Sequence, residues 1–368
     1  MRKITEFWIT IVSISSLATG QPLRINEIQI IGSHNSYHAG LGPHEMAYLR
    51  KTNPKAADAL DYSHPPLTAQ LNAGVRQVEL DIYSDSKGGL FSKPGVLALM
   101  SQAGIPLDPP FDPSGLMLKP GFKVLHVQDL DVRSNCQPFV ACLAEIRAWS
   151  ESHPKHLPIY ILVENKDGRP RDYMVQPEPI TPETFDRLDA EIRSVFKPKE
   201  MITPDDVRGS HKTLEEAVLS GTGWPALDKS RGKVVFLLDQ KRVTPLYTEG
   251  HPSLEGRVLF TNATPGTPDA AFVETNDPLS GKIPALIQKG YIVRTMSDPG
   301  VEGVRAGATD RRDRALASGA QMVSTDYPFD EKAASSGYSV NLPGGGIARC
   351  NPVLQPAGCK PDHLREVR

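Results

Sequence analysis

Short runs of apolar and β-branched residues recur along the chain, and most stop at a glycine or a polar residue. The first, at 27–32, contains Ile28-Gln29-Ile30-Ile31-Gly32 and is followed at once by Ser33-His34-Asn35-Ser36-Tyr37. Apolar runs of this length, without regular polar alternation, are the pattern of strands buried on both faces in parallel sheets. Seven more are expected, at 76–83, 122–128, 158–163, 233–238, 257–261, 291–295 and 321–325. Between them the apolar spacing turns helical. A helix is expected at 67–72 and another at 138–151, where Phe139, Cys142, Leu143, Ile146 and Trp149 share one face. Pro182 opens a third through 196, with Phe185, Leu188, Ile192 and Phe196 aligned, and others follow at 212–219 and 310–318, the last ending at Gly319. Eight strands alternating with helices predict an α/β fold, a single-domain (β/α)₈ TIM-type barrel. An open doubly wound sheet is the competing architecture, but no G-x-G-x-x-G or G-x-x-x-x-G-K motif follows any strand. The Gly- and Pro-rich insertion at 84–120 is expected as a surface loop near the site.

Composition narrows the class. With 368 residues, 39% hydrophobic and 23% charged, the chain suits one large domain. A net charge of −2 leaves no basic footprint for nucleic acid, and no polybasic run marks anionic lipid. Residues 1–20 read as a signal peptide: Arg2 and Lys3, then an apolar stretch from Phe7 to Leu17, then Ala18-Thr19-Gly20. A mature chain from Gln21, a secreted or periplasmic location, a barrel over 21–328 and a polar tail over 329–368 are expected. No stretch is long and apolar enough for a transmembrane anchor. The four cysteines lie as Cys136 near Cys142 and Cys350 near Cys359. Three connectivities are open to them, and two local disulfides are expected, because zinc-ligand spacing is missing.

The strand ends carry the chemistry. Glu79 and Asp81 are two apart on a strand and so project to one face. His126 sits between Leu125 and Val127, with Asp129 beyond, and the run at 158–163 continues Glu164-Asn165-Lys166. Each has an ordinary structural explanation: His126 as a satisfied buried histidine, Glu79 and Asp81 as rim ion pairs. Four consecutive strand ends rich in such groups are better explained as a site. Three carboxylates and an amide oxygen suit Ca²⁺, which takes oxygen ligands, whereas Zn²⁺ prefers nitrogen or sulfur. Two histidines beside a cation suit acid–base cleavage of a phosphodiester. Lys166 and Arg133 are candidate contacts for phosphate or headgroup, with ion pairing as the competing role. Arg294 is expected to face the barrel mouth and touch substrate, and Asp326 to pair with it.

The stretches Ser33-His34-Asn35-Ser36-Tyr37, Val78-Glu79-Leu80-Asp81, His126 and Val163-Glu164-Asn165 together resemble the X-region barrel of phosphoinositide-specific phospholipase C, its secreted, calcium-dependent bacterial branch above all. Asp129-Leu130-Asp131-Val132-Arg133-Ser134-Asn135-Cys136 and Thr325-Asp326-Tyr327 extend the resemblance to about residues 28–327. It implies Asn35, Glu79, Asp81 and Glu164 as calcium ligands and His34 with His126 as the catalytic pair. The implied activity is cleavage of phosphatidylinositol-type lipids at a membrane surface to diacylglycerol and a (cyclic) inositol phosphate, by a monomer without nucleic acid as partner. The intracellular relatives differ: they carry a histidine-bearing dipeptide at the third strand and lack the insertion at 84–120. Two competitors stand beside this reading. A glycerophosphodiester phosphodiesterase normally has His-Arg after strand one, where this chain has His34-Asn35. A non-catalytic lipid- or sugar-binding barrel would lack one of the histidines or carboxylates.

Overall fold

A computed structural model describes residues 22–366; the expected signal segment lies outside them. The strands are β1 (Ile28–Ser33), β2 (Gln77–Tyr83), β3 (Lys123–Val124), β4 (Ile159–Asn165), β5 (Val234–Leu238), β6 (Leu259–Thr261), β7 (Phe272–Glu274), β8 (Ile292–Met296), β9 (Met322–Thr325) and β10 (Ala348–Cys350). Eight of them run parallel in the order β6-β5-β4-β2-β1-β9-β8-β7, and a parallel bridge from Asn262 to Phe272 brings the ends of that path together. The result is a nearly closed TIM-type barrel with helices outside. Its strands are buried on both faces, which is why they read as continuous apolar runs. Burying each such Val, Ile or Leu side chain contributes about 1.5–3 kcal/mol relative to exposure.

The expected helices form at Leu67–Ala73, Phe139–Ser152, Pro182–Val195, Leu214–Leu219 and Asp310–Ala317. One strand assignment is corrected. The apolar run at 122–128 supplies no barrel stave: Lys123–Val124 pairs antiparallel with Tyr83 and Ile82, and Val127 and Asp131 then close a hairpin through mutual backbone hydrogen bonds. The missing stave is β7, only three residues long and too short to stand out in the apolar pattern.

The tail is also more than a polar extension. β10 pairs antiparallel with the amino end of β1, and Tyr338, Val340 and Leu342 are buried against Ile31 and Val323. Glu366 then meets the buried Arg76 guanidinium at the foot of β2, with the Arg76 Nε donating to Oε1 at 2.7 Å. Both expected disulfides are present, Cys136–Cys142 and Cys350–Cys359. Among the described residues no helix is long and apolar enough to cross a membrane.

Candidate active site

Register decides which side chains meet. Ser33 of β1 pairs with Thr325 of β9, so the next residues, His34 and Asp326, leave the sheet side by side. His34 Nδ1 lies 2.7 Å from Asp326 Oδ1, and its Nε2 lies 3.6 Å from Glu79 Oε1. Burial disfavours the charged imidazole, but the Glu79 and Asp326 carboxylates more than offset it and raise the His34 pKa to about 9. Asn35 follows in the left-handed region (φ 47°), a conformation asparagine tolerates better than most residues. Its Nδ2 donates to the Tyr62 hydroxyl at 2.7 Å, and the Tyr37 hydroxyl donates to its Oδ1 at 3.3 Å.

β2 pairs with β4 so that Asp81 stands opposite Glu164, with Glu79 two residues earlier on the same face. One oxygen from each of Glu79, Asp81 and Glu164 lies within 4.8 Å of the others. Three carboxylates that close are costly to bury without positive charge. Two cations are present. Lys166 Nζ contacts Asp81 and lies 3.2 Å from Glu164 Oε2. Arg294, from β8, donates through Nη2 to Glu79 and through Nη1 to Glu274, each at 2.6 Å.

The compensation is uneven. Burial pushes Glu164 up to about 7, with Asp81 adding to the shift. Burial also raises Glu79 despite Arg294. At Asp81 burial is outweighed by Lys166 and His126, and its pKa falls below the usual carboxylate value. Asp81 Oδ1 is buried and has no hydrogen-bond partner among the described residues. A cluster of three hard oxygen donors, one of them with an orphaned buried oxygen, fits an oxygen-seeking divalent cation.

His126 lies near Asp81, and its carbonyl accepts from Lys166 Nζ at 3.2 Å. The hairpin that follows returns Asp131 to it, and His126 Nδ1 lies 2.8 Å from Asp131 Oδ2. The same oxygen accepts from Nε2 of the buried His38, also at 2.8 Å. Burial opposes the Asp131 charge, but hydrogen bonds from His126 and His38 hold its pKa far below the ordinary value.

The structure therefore brings together His34, Asn35, Glu79, Asp81, His126, Glu164, Lys166 and Arg294. Two expectations are corrected. Arg133 is not in the cluster: its guanidinium spans both oxygens of Glu45, at 2.7 and 2.8 Å, and donates to the Pro109 carbonyl, so it fastens helix Pro43–Thr52 to the insertion. Asp326 serves His34, not Arg294, because β9 and β1 are neighbours in exact register at their ends. Sequence reading missed Asp131 and His38, and also Asp239 and Glu274. Asp239 follows the apolar β5 directly, so the strand-end rule applied there would have found it, whereas Glu274 ends a strand too short to be seen in the sequence. Burial and the neighbouring Glu274 push the Asp239 carboxyl well above its ordinary value, while Arg294 holds Glu274 down.

Fold and site together define a TIM-type barrel enzyme with its polar cluster at the carboxyl ends of the strands. The family model described as phosphoinositide phospholipase C, Ca²⁺-dependent, matches residues 23–352, and the chain belongs to that family of enzymes. Among solved structures, it is similar to a calcium-dependent phosphoinositol-specific phospholipase C from Pseudomonas sp., apo form, myoinositol complex. That match has a TM-score of 0.53 and 16% identity, covering 89% of this chain and 95% of that one. A Ca²⁺-dependent phosphatidylinositol-specific phospholipase C from Streptomyces antibioticus matches with a TM-score of 0.50 and 19% identity, covering 83% and 95%. A comparison with curated proteins finds no match.

Proposed function

We propose that this chain is a calcium-dependent phosphodiesterase that cleaves phosphatidylinositol-type lipids to diacylglycerol and a cyclic inositol phosphate, which water can open. The observation that carries the reading is the convergence of Glu79, Asp81 and Glu164 at one point, with His34 beside Glu79 and His126 near Asp81. Glu79, Asp81, Glu164 and Asn35 would hold calcium, which would supply charge to stabilise the developing phosphorane oxygens. Lys166, the counter-ion of Asp81 and Glu164 in this structure, is the substrate-facing cation, and the buried Arg294 holds Glu79 and Glu274 in place behind it.

In the reaction the inositol 2-hydroxyl forms a bond to phosphorus while the bond from phosphorus to the diacylglycerol oxygen breaks. His34 accepts the hydroxyl proton, with Asp326 stabilising the imidazolium. Glu79 is one of the two carboxylates that raise His34, so neutralising Glu79 returns the imidazole toward its ordinary range, where it can act as a base. His126, oriented through Asp131, donates a proton to the leaving oxygen. Residues 1–20 are proposed as an export signal, 21–328 as the catalytic barrel and 329–368 as its closing tail, in a secreted or periplasmic monomer.

The test is release of inositol phosphate from phosphatidylinositol with calcium and with EGTA. Turnover in calcium alone is expected. Turnover of glycerophosphocholine but not phosphatidylinositol would assign the chain to the glycerophosphodiesterases, and lipid binding without any release would make it a binding barrel.

A further inference from the structure

His38 is not among the groups that the proposed reaction uses, yet it shares a carboxylate with one of them. Residues 37–39 and 133–135 run side by side. His38 bridges Ser134 antiparallel, the Asn135 amide donates to the Tyr37 carbonyl at 2.7 Å, and the Ala39 amide donates to the Arg133 carbonyl at 3.4 Å. The Cys136–Cys142 disulfide anchors the second segment to helix Phe139–Ser152. The Tyr62 ring packs on the His38 imidazole with centroids 4.4 Å apart. Asp131 is fixed in turn, because its carbonyl accepts from the amides of His126 and Val127 at 3.2 and 3.0 Å. Backbone pairing therefore sets the positions of all three side chains, His38, His126 and Asp131, before any ligand arrives.

One ligand atom from each of these three side chains lies within 4.8 Å of the others. Both imidazoles direct a nitrogen at the same oxygen, Asp131 Oδ2, at 2.8 Å each. Asp131 Oδ1 is left buried without a hydrogen-bond partner among the described residues. Two donors divided between two oxygens would satisfy a buried carboxylate better than two on one. His38 Nδ1 is likewise buried without a partner there, so no contact on that side holds the ring to one tautomer. Two imidazole nitrogens and a carboxylate are a donor set of zinc sites, and three protein ligands leave the fourth tetrahedral position open. Calcium seeks oxygen instead, and the cluster of Glu79, Asp81 and Glu164 supplies it. The two donor sets share no residue.

We propose that His38, His126 and Asp131 form a binding site for Zn²⁺, separate from the calcium cluster, and that the bound ion switches the enzyme off. The ion takes the place of the proton on His38 Nε2 and of that on His126 Nδ1, and both protons leave to solvent. With its Nδ1 lone pair on the metal, His126 can no longer become the imidazolium that protonates a leaving oxygen. The binding site rests on geometry alone, and the inhibition rests on the acid role proposed for His126.

The experiment is a zinc titration of the purified protein in saturating calcium, so that the carboxylate cluster is already engaged. Uptake is read by competition with a chromophoric zinc indicator, and turnover by inositol phosphate release from phosphatidylinositol. Zinc is expected to bind at this site despite the calcium, and turnover to fall along the same curve. Co²⁺ in its place is expected to show the visible absorption of a tetrahedral site. His38→Gln and, separately, His126→Ala are each expected to weaken zinc binding roughly tenfold or more, since losing even an outer-shell partner costs that much. Melting temperatures without zinc report whether each variant is folded, and His126→Ala, at a partly exposed position, carries the test if His38→Gln is not. Glu164→Gln, in the calcium cluster, is expected to keep wild-type zinc affinity. No uptake in calcium, wild-type uptake by both histidine variants, or loss of uptake in Glu164→Gln alone would overturn the site. Zinc bound with turnover unchanged would overturn the inhibition. If zinc binds as expected but no inositol phosphate is released even without it, the site stands and the proposed reaction fails instead.

Discussion

Asp131 places one oxygen between two histidines, and that oxygen defines what His126 can do. A carboxylate there fixes the proton on His126 Nδ1 and leaves Nε2 for the leaving group of the proposed reaction; an amide can donate in its place and select the other tautomer. Asp131→Asn is therefore expected to lower kcat by about 10²–10⁴-fold, as loss of general acid catalysis does, with calcium affinity within a few-fold of wild type. Initial rates on phosphatidylinositol and calorimetric calcium titration check the two halves. His126→Ala should cost a similar factor, and the double variant no more than the single one, because both remove one device. Asp81→Asn belongs to the same scale but has the opposite signature. It removes a buried donor with an unpartnered oxygen, so calcium binding should weaken at least tenfold while the protein stays folded. At this scale the residues of the candidate site were legible: His34, Glu79, Asp81, His126 and Glu164 each end or interrupt an apolar run, where polar groups are conspicuous. Asp131 was not, because its role comes from a five-residue hairpin, 127–131, that begins at the end of what reads as a strand.

Elements are held by contacts that the local pattern does not reveal. The run at 122–128 has strand-like composition, yet only Lys123–Val124 pairs, since the barrel's next stave beside β2 is β4. β7 passes unnoticed at three residues because its pairing with β8, Glu274 opposite Arg294, supplies what its length does not. The tail offers a test. Glu366 closes the amino-terminal end of the barrel on Arg76, whose side chain is only 2% exposed. Burial opposes the Glu366 charge, and Arg76 together with the Leu157 amide more than offsets it, so its pKa is lowered. A depressed carboxyl contributes stability that is present above its unfolded value and is lost as pH falls through the folded one. Glu366→Gln is thus expected to destabilise the fold at pH 7, by up to about 3 kcal/mol for a broken buried pair, with the difference from wild type shrinking below pH 4. Denaturant midpoints at the two pH values check the sign.

On the scale of the whole molecule, the barrel brings residues from 34 to 326 to one rim, and calcium dependence is the property that tests that rim as a unit. Addition of EGTA should abolish lipid turnover and added calcium should restore it; full activity in EGTA would remove the ion from the site.

The barrel class, seven of its staves and the polar residues at several of their tips could be read from the chain alone, because burial on two faces forces apolar runs and a polar residue there is conspicuous. Who meets whom could not. His34 with Asp326 and Arg294 with Glu79 are pairs 292 and 215 residues apart, and Arg133 is drawn away to Glu45. Such partners are set by strand order and register, which depend on how the whole barrel closes and leave no trace in local spacing.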